Sequence, residues 1–278
     1  MTLPNFLIIG APKAGTTSLY EHFRAHPEIF MPRLKEPRFF CHGGQSDDRL
    51  SFPIQSRAEY EALFDDAAGE KALGEASVHY IRHSEAPARI RDLIPQVRLI
   101  ASLRDPVDRS YSLYQMNQRN HGANRTASFV EALRSDRQLQ GLYHGHLQRY
   151  FALFSREQIR IILLEDLEAA PRRTVSGLFD FLGVDPAFTP DLSKIANQGG
   201  EPRNKALHSL LSNRRLIAAS RRIVPEALVA PFKALRARNL SKHPLPAADR
   251  RLATDFFRDD ILRTQDLIGR DLSRWLGD

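Results

Sequence analysis

The chain has 278 residues, 42% of them hydrophobic, which suffices for one large α/β domain with a real core. Lys and Arg number 40 against 33 Asp and Glu, and the resulting charge of +7 favours anionic partners such as nucleotides, acidic glycans or nucleic acid without selecting among them. No stretch approaches the roughly 18 uncharged apolar residues of a membrane span. The first ten residues lack the basic and apolar regions of a leader, and the single cysteine, Cys41, excludes an internal disulfide, so a cytoplasmic location is expected.

The chain opens with a short β-type apolar run, Asn5 to Ile9, then Gly10 and a loop containing Pro12 and Gly15. Thr16 to Ala25 follows with the helical spacing of Leu19, Tyr20 and Phe23. Ala72 to Ala76 reads as another short strand with Gly74-Glu75 at its exit. Strand-then-helix recurs at Val97 to Leu103, where Asp105-Pro106 starts a helix over Val107 to Gln118. A third apolar run, Ile159 to Leu164, leads through Glu165-Asp166 into a helix started by Pro171 and stopped by Gly183. From about Asn197 strands are expected to cease, leaving a helical pattern with joints near Pro225, Pro231 and His243 to Pro246. The arginines at 203 to 238 and 250 to 274 read as a solvated basic helix face rather than a polyanion groove.

Strands that are apolar nearly throughout and separated by helices imply a parallel sheet covered on both faces, a three-layer α/β/α architecture with a helical C-terminal part. Ligands of such sheets bind at the carboxyl ends of the strands, where every segment singled out below falls. With no internal repeat and no low-complexity linker, residues 1–278 are expected to form a single domain.

Gly10-Ala11-Pro12-Lys13-Ala14-Gly15-Thr16-Thr17 has the length of a phosphate loop, with two glycines five apart and hydroxyl residues opening a helix. Backbone N–H groups and the helix dipole at that end hold a phosphate. The nucleotide-kinase form of the loop needs a lysine directly after the second glycine; here that place is Thr16 and the lysine stands at 13. Arg104 leaves the second strong strand, and Ser112 sits two helical turns later, so a guanidinium and a hydroxyl can close on one phosphate. The alternative is that Arg104 caps its helix through Asp105 or Asp108. Arg109 is expected to be the structural partner of a nearby acid.

Pro12 to Thr17 resembles the 5′-phosphosulfate loop of the sulfotransferases that use 3′-phosphoadenosine-5′-phosphosulfate (PAPS), and the chain is most similar to their bacterial and heparan-sulfate-type branch, from Phe6 to Trp275. The resemblance implies a P-loop nucleoside-triphosphate-hydrolase-like fold. It implies that Lys13 contacts the bridging oxygen and 5′-phosphate, that Ala14, Gly15, Thr16 and Thr17 form the cradle, and that Arg104 and Ser112 grip the 3′-phosphate. Lys35-Glu36-Pro37-Arg38-Phe39-Phe40 resembles a motif whose Glu before paired Phe is the catalytic base, which implies that Glu36 takes the acceptor proton. Gly74 to Tyr80 resembles a segment at the mouth of the site. Some relatives carry Lys where Ala76 stands, and the branch often carries His where Arg38 stands, so Arg38 and His79 are candidates for an acceptor side built differently here. Gly141-Leu142-Tyr143 and the loop from Asn197 to Asn204 resemble segments bordering the nucleotide, and Arg203 is the residue expected to fold over it, unless it simply begins the basic helical stretch.

The expected reaction is in-line attack by a hydroxyl of a carbohydrate, lipid or natural-product acceptor on the PAPS sulfur, releasing adenosine 3′,5′-bisphosphate (PAP). A kinase would offer an acidic strand end for Mg²⁺, whereas Ser102-Leu103-Arg104 stands there. A sulfuryl group carries less charge than a phosphoryl group, so lysine and backbone donors suffice and no metal is expected. His79 and His83 are four apart, as in helical metal pairs, but no third ligand is evident. The alternatives are a nucleotide-dependent kinase and a non-catalytic nucleotide or polyanion-binding module; nucleic acid is not an expected partner, because basic and aromatic residues do not interleave.

Overall fold

Five short apolar runs form the sheet: β1 (Phe6–Gly10), β2 (Ile29–Phe30), β3 (Ala72–Ala76), β4 (Arg98–Leu103) and β5 (Ile159–Leu163). The computed structural model describes residues 2–41, 54–121, 127–192, 201–202, 240–241 and 244–277. The strands pair in parallel in the order β2-β3-β1-β4-β5. Alternation along each strand divides the apolar side chains between two cores. Phe6, Ile8, Ile100 and Ile162 face one side; Leu7, Ile9, Leu99, Ala101 and Leu103 face the other. Burial on both faces is why these strands read as nearly continuous apolar runs.

The first face is covered by α1 (Thr16–Arg24), α8 (Leu164–Ala169) and α9 (Pro171–Leu182), through Leu19, Phe23, Leu167, Leu178 and Phe179. The second is covered by α3 (Ala86–Leu93), α4 (Pro106–His121), α5 (Phe129–Ser135), α7 (Tyr143–Phe151) and α10 (Ala247–Ile268). Two shorter helices, α2 (Arg57–Ala62) and α6 (Arg137–Gln140), complete that layer. Along α10, Ala253, Phe257 and Ile261 recur every four residues and are buried in the second core. The three-layer α/β/α expectation and the helical C-terminal part are therefore met.

One expectation is corrected. Strands do not cease after Asn197: β6 (Glu201–Pro202) pairs antiparallel with β7 (Leu240–Ser241). A two-residue strand carries no period, so neither this pair nor β2 leaves a signal in the sequence. The arginines of α10 and beyond are mostly exposed, as expected of a solvated face, and two of them also pair with acids outside α10. Arg250 pairs with Asp105 at 3.5 Å and with Asp108, and Arg270 pairs with Asp166 at 3.0 Å. Arg203 and the basic stretch to 238 lie outside the described residues. Among the described residues, no helix is long and apolar enough to cross a membrane.

The strand order positions the site. The chain leaves β1 for β2 and β3 on one side and returns on the other side for β4 and β5. The loops after β1 and β4 therefore diverge, and a crevice opens at the carboxyl ends of these two neighbouring strands.

Candidate active site

The β1–α1 loop is stitched to the end of β4. Ala11 N donates to Ser102 O at 2.7 Å, Ser102 Oγ donates to Ala14 O at 2.5 Å, and Arg104 Nη1 donates to Lys13 O at 3.3 Å. Gly15 turns the chain into α1 with φ 79°, and a Cβ there would lie 2.8 Å from Leu164 Cδ1. With glycine at the N-cap and no acidic residue in the first turn, the positive end of the α1 dipole is left to a ligand. Thr16 is buried and Thr17 half-buried at that end. Lys13 is half-buried, its Nζ 4.0 Å from Met116 Sδ. Burial first, then the charges of Arg119 and Arg104, hold its pKa below the usual lysine value.

The acids weighed as partners of Arg104 are engaged elsewhere. Asp105 caps α4, accepting from Val107 N at 2.8 Å and Asp108 N at 3.4 Å, while Asp105 and Asp108 pair with Arg250. The Arg104 guanidinium turns instead to the phosphate loop. Ser112 lies half-buried two turns along α4. Arg109 is fully buried and donates to Leu139 O at 2.6 Å and Ser110 Oγ at 2.9 Å, with its guanidinium 5.8 Å from the Tyr143 ring centre and Asp260 among the charges acting on it.

The segment before the paired phenylalanines is carried to the exit of β3, beside β1. Glu36 N donates to Ala76 O at 3.0 Å and Arg38 N to Ser77 Oγ at 3.0 Å. The following turn is fixed to β1 by Ser77 N to Ile8 O at 3.0 Å and Ile81 N to Ile9 O at 2.9 Å. The approach is close, since a Cβ on Gly74 would fall 2.2 Å from the Phe6 ring. Among the described residues, the non-glycine positions with left-handed backbone are Lys13 (φ 69°), Glu36 (φ 65°) and Arg38 (φ 56°). Such conformations cost on the order of 1–3 kcal/mol each and gather at functional sites.

The Glu36 carboxylate lies 3.2 Å from Lys35 Nζ, 3.4 Å from Arg38 Nε and 4.0 Å from His79 Nε2. Burial first, then Arg82, Arg38 and Lys35, push the His79 pKa down to about 3, so the ring is neutral. Its Nδ1 accepts from Arg82 Nε at 3.1 Å, which assigns the ring proton to Nε2, the nitrogen nearer Glu36. Glu36, Arg38 and His79 are thus brought together as one group.

Sequence reasoning missed four contributors. Glu75 is fully buried and accepts from the Tyr60 hydroxyl at 3.3 Å. Burial pushes its carboxyl up to about 7 against the opposing hydroxyls of Tyr80 and Ser77, with the Glu36 charge adding to the rise. A glutamate inside an otherwise apolar strand was the signal for it. Tyr143, noted only as bordering a nucleotide, donates its hydroxyl to Arg104 O at 3.0 Å, and Tyr150 donates to Tyr80 O at 2.9 Å. Asp260 of α10 accepts from Tyr143 N at 2.7 Å and His144 N at 3.1 Å, satisfying the N-terminus of α7 from a distant element.

A parallel α/β sheet carries a lysine-bearing glycine loop at its switch point, an arginine beside it and a carboxylate at the next strand end, the layout of an α/β protein with a candidate anion site. The chain belongs to the sulfotransferase domain family, whose model matches residues 3–199. It is 31% identical over 210 residues to the mouse bifunctional heparan sulfate N-deacetylase/N-sulfotransferase 4, and 32% identical over 210 residues to the human bifunctional heparan sulfate N-deacetylase/N-sulfotransferase 3; each match covers 67% of this chain. The chain spans only 23% of the length of those relatives. Mouse carbohydrate sulfotransferase 15 is 30% identical over 248 residues, covering 66% of this chain and 44% of that one. Among solved structures, a sulfotransferase from Alicyclobacillus acidocaldarius is similar over 99% of both chains, with 29% identity and a TM-score of 0.76. The family assignment favours neither the kinase nor the non-catalytic module.

Proposed function

We propose that the chain moves a sulfuryl group from PAPS to a hydroxyl, with Lys13 and Glu36 as the catalytic pair. The observation that carries this reading is that a cationic glycine loop, held by Ser102 and Arg104, follows β1 while a carboxylate-bearing segment is held at the end of the neighbouring strand β3. The loop suits the 5′-phosphosulfate: Gly15 opens the α1 N-terminus, Ala14, Thr16 and Thr17 surround it, and a half-buried lysine stands above it. When bound, PAPS supplies an activated sulfur and a phosphate leaving group. Lys13 neutralises charge on the departing phosphate oxygen, and Arg104 and Ser112 hold the 3′-phosphate; Arg203, the residue expected to cover the nucleotide, lies outside the described residues. Glu36 accepts the hydroxyl proton, with the neutral His79 N–H beside it. Most of the acceleration is then positioning and electrostatics.

The acceptor side carries Arg38, Arg82 and Lys35 around His79, a cationic wall suited to an acidic or sugar acceptor. Relatives whose names specify heparan sulfate or carbohydrate point to a glycan. Residues 1–278 form one domain that works in the cytoplasm without a metal. The test is isothermal titration of the full chain, without metal, with PAP and with ATP-Mg. PAP is expected to bind preferentially, and Lys13→Ala and Arg104→Ala each to weaken it by roughly 10- to 100-fold, the value of a hydrogen bond to a charged group. Preference for ATP-Mg, or indifference to both substitutions, would reject the donor site. Glycans offering hydroxyl or free amino groups, assayed with PAPS, then separate O-transfer from N-transfer.

A further inference from the structure

His79 and Arg82 stand together in the turn after β3, and the fold grips that turn from both sides. Ile81 N donates to Ile9 O of β1 at 2.9 Å. From α7, the Tyr150 hydroxyl donates to Tyr80 O at 2.9 Å and Arg149 Nη2 to Arg82 O at 3.2 Å. The turn closes on itself through Arg82 N and His83 N, which donate to His79 O at 3.3 and 3.2 Å. Within this frame Arg82 Nε donates to His79 Nδ1 at 3.1 Å. A guanidinium has hydrogens to give and no lone pair to receive one, so Nδ1 is held as the acceptor and the ring hydrogen sits on Nε2. The ring is also kept neutral, by burial first and then by the charges of Arg82, Arg38 and Lys35.

Across from Nε2 lies Glu36 Oε2, 4.0 Å away, and the two side chains are 18% and 20% exposed, so the gap between them is open to a ligand. The distance is too long for a direct hydrogen bond and suits one oxygen atom placed between. Two hydrogen bonds of about 2.8 Å from that oxygen span it when they meet near a right angle. The carboxylate is held in place, with Glu36 N donating to Ala76 O at 3.0 Å and Arg38 Nε and Nη2 each 3.4 Å from Oε2. One flank of the gap therefore accepts and the other donates. A hydroxyl matches the pair: it gives its hydrogen to Glu36, receives Nε2–H on one lone pair and keeps the second lone pair for sulfur. A neutral amine has a single lone pair. If that pair receives the Nε2–H it is not free to attack, and if it attacks, the Nε2–H is left facing N–H hydrogens.

We propose that His79 selects oxygen over nitrogen as the acceptor atom: its Nε2–H and the Glu36 carboxylate together hold a hydroxyl, and Arg82 is the positioning residue that keeps the Nε2–H in place. This deepens the reading of Glu36 as the base and rests on it. In the step so arranged, the hydroxyl oxygen forms the new bond to sulfur and its proton passes to Glu36. The bond from sulfur to the bridging oxygen breaks, and its electron pair leaves with the phosphate of PAP.

The first measurement needs no substrate: NMR of the full chain labelled with ¹⁵N in its histidine rings. The ring resonances absent from His79→Phe are expected to show a hydrogen on Nε2, none on Nδ1, and no titration through the neutral range. Arg82→Leu should divide the hydrogen between the two nitrogens and let the ring titrate closer to the ordinary 6.5. Arg82→Gln, which retains an N–H for Nδ1, should keep the hydrogen on Nε2; a merely structural arginine would not distinguish the two variants. The second measurement offers, with PAPS, a polysaccharide of alternating glucuronic acid and N-acetylglucosamine, and the same chain freed of its acetyl groups, and locates the sulfate. It is expected on oxygen in both. On the deacetylated chain His79→Phe should raise the nitrogen-to-oxygen ratio by roughly 10- to 100-fold, the effect of removing a donor that an amine leaves unpaired. Should neither polysaccharide take sulfate, water is the oxygen nucleophile, and His79→Phe must slow PAP release from PAPS by about tenfold or more. A hydrogen on Nδ1, a His79 ring that titrates in the neutral range, transfer to nitrogen by the unsubstituted chain, or products and PAP release indifferent to His79 would each overturn the proposal. Failure to bind PAP in the calorimetric test counts against the donor site, whereas PAP binding with transfer to nitrogen counts against this selection alone.

Discussion

Lys13 is the residue on which charge has most consequence. Its pKa is lowered in the free protein, first by burial and then by Arg119 and Arg104, and a phosphate brought against it would restore the charged form. Binding of PAP should therefore take up a proton at pH values above the lowered pKa, and affinity should fall as pH rises through it. Calorimetry in two buffers of different ionisation heat measures the uptake; equal heats in both would show that Lys13 stays charged throughout. Glu75 sets a second linkage, this one on stability. In the unfolded chain it loses its proton near 4.5, in the folded protein only near 7, so between these values the folded state binds more protons. Stability should then fall as pH rises from 4.5 to 7, by on the order of 3 kcal/mol at most, and denaturant titrations of Glu75→Gln should lack that slope.

Helix α7 is the element that joins the two halves of the site. Tyr143 holds the backbone of Arg104 on the donor side, while Tyr150 and Arg149 hold the carbonyls of Tyr80 and Arg82 on the acceptor side. Its own first N–H groups are satisfied by Asp260 of α10 rather than by a local cap. Asp260→Ala should cost about 1 kcal/mol, the usual value of an N-cap, and should lower Tm by roughly 2–4 °C for a domain near this size. Tyr143→Phe should weaken PAP binding a few-fold by loosening Arg104, with little change in the Glu75 titration, which depends on groups at the other end of α7. Calorimetry and a pH titration of the glutamate carboxyl resonances by NMR, in which Glu75 is expected near 7, check the two halves separately.

At the scale of the whole molecule, the C-terminal part is tied to the site-bearing sheet. Trp275 Nε1 donates to Glu165 Oε1 at 2.8 Å, and the same oxygen accepts from Asp105 N at 3.3 Å, where α4 begins. Glu165 Oε2 has no partner among the described residues, so loss of the indole donor leaves a buried carboxylate poorly satisfied. Trp275→Phe should destabilise by roughly 1–3 kcal/mol, read as a lower denaturation midpoint with unchanged slope. Because Trp275 is the sole tryptophan, its fluorescence in the unsubstituted chain reports docking of this segment. Fluorescence and circular dichroism transitions should coincide if the C-terminal part unfolds with the sheet.

The glycine loop after β1 was legible because its signals are local: Gly15 turns with positive φ, Lys13 and Thr16 stand at fixed places around it, and buried parallel strands leave apolar runs. Arg104 was ambiguous in the sequence, since Asp105 and Asp108 were equally near along the chain; only packing, which brings Arg250 to those carboxylates, releases it to the phosphate loop. Glu36, Arg38 and His79 were singled out by resemblance, but their meeting depends on β3 pairing beside β1, a contact between distant segments that no local pattern encodes. The short strands β2, β6 and β7 had no period to read, and the roles of Glu75, Tyr143 and Asp260 arise from burial and from partners far along the chain. The sequence by itself determined the class of fold, the phosphate loop and the family; the tertiary structure alone decided which charges face one another, because burial and long-range pairing exist only once the chain has folded.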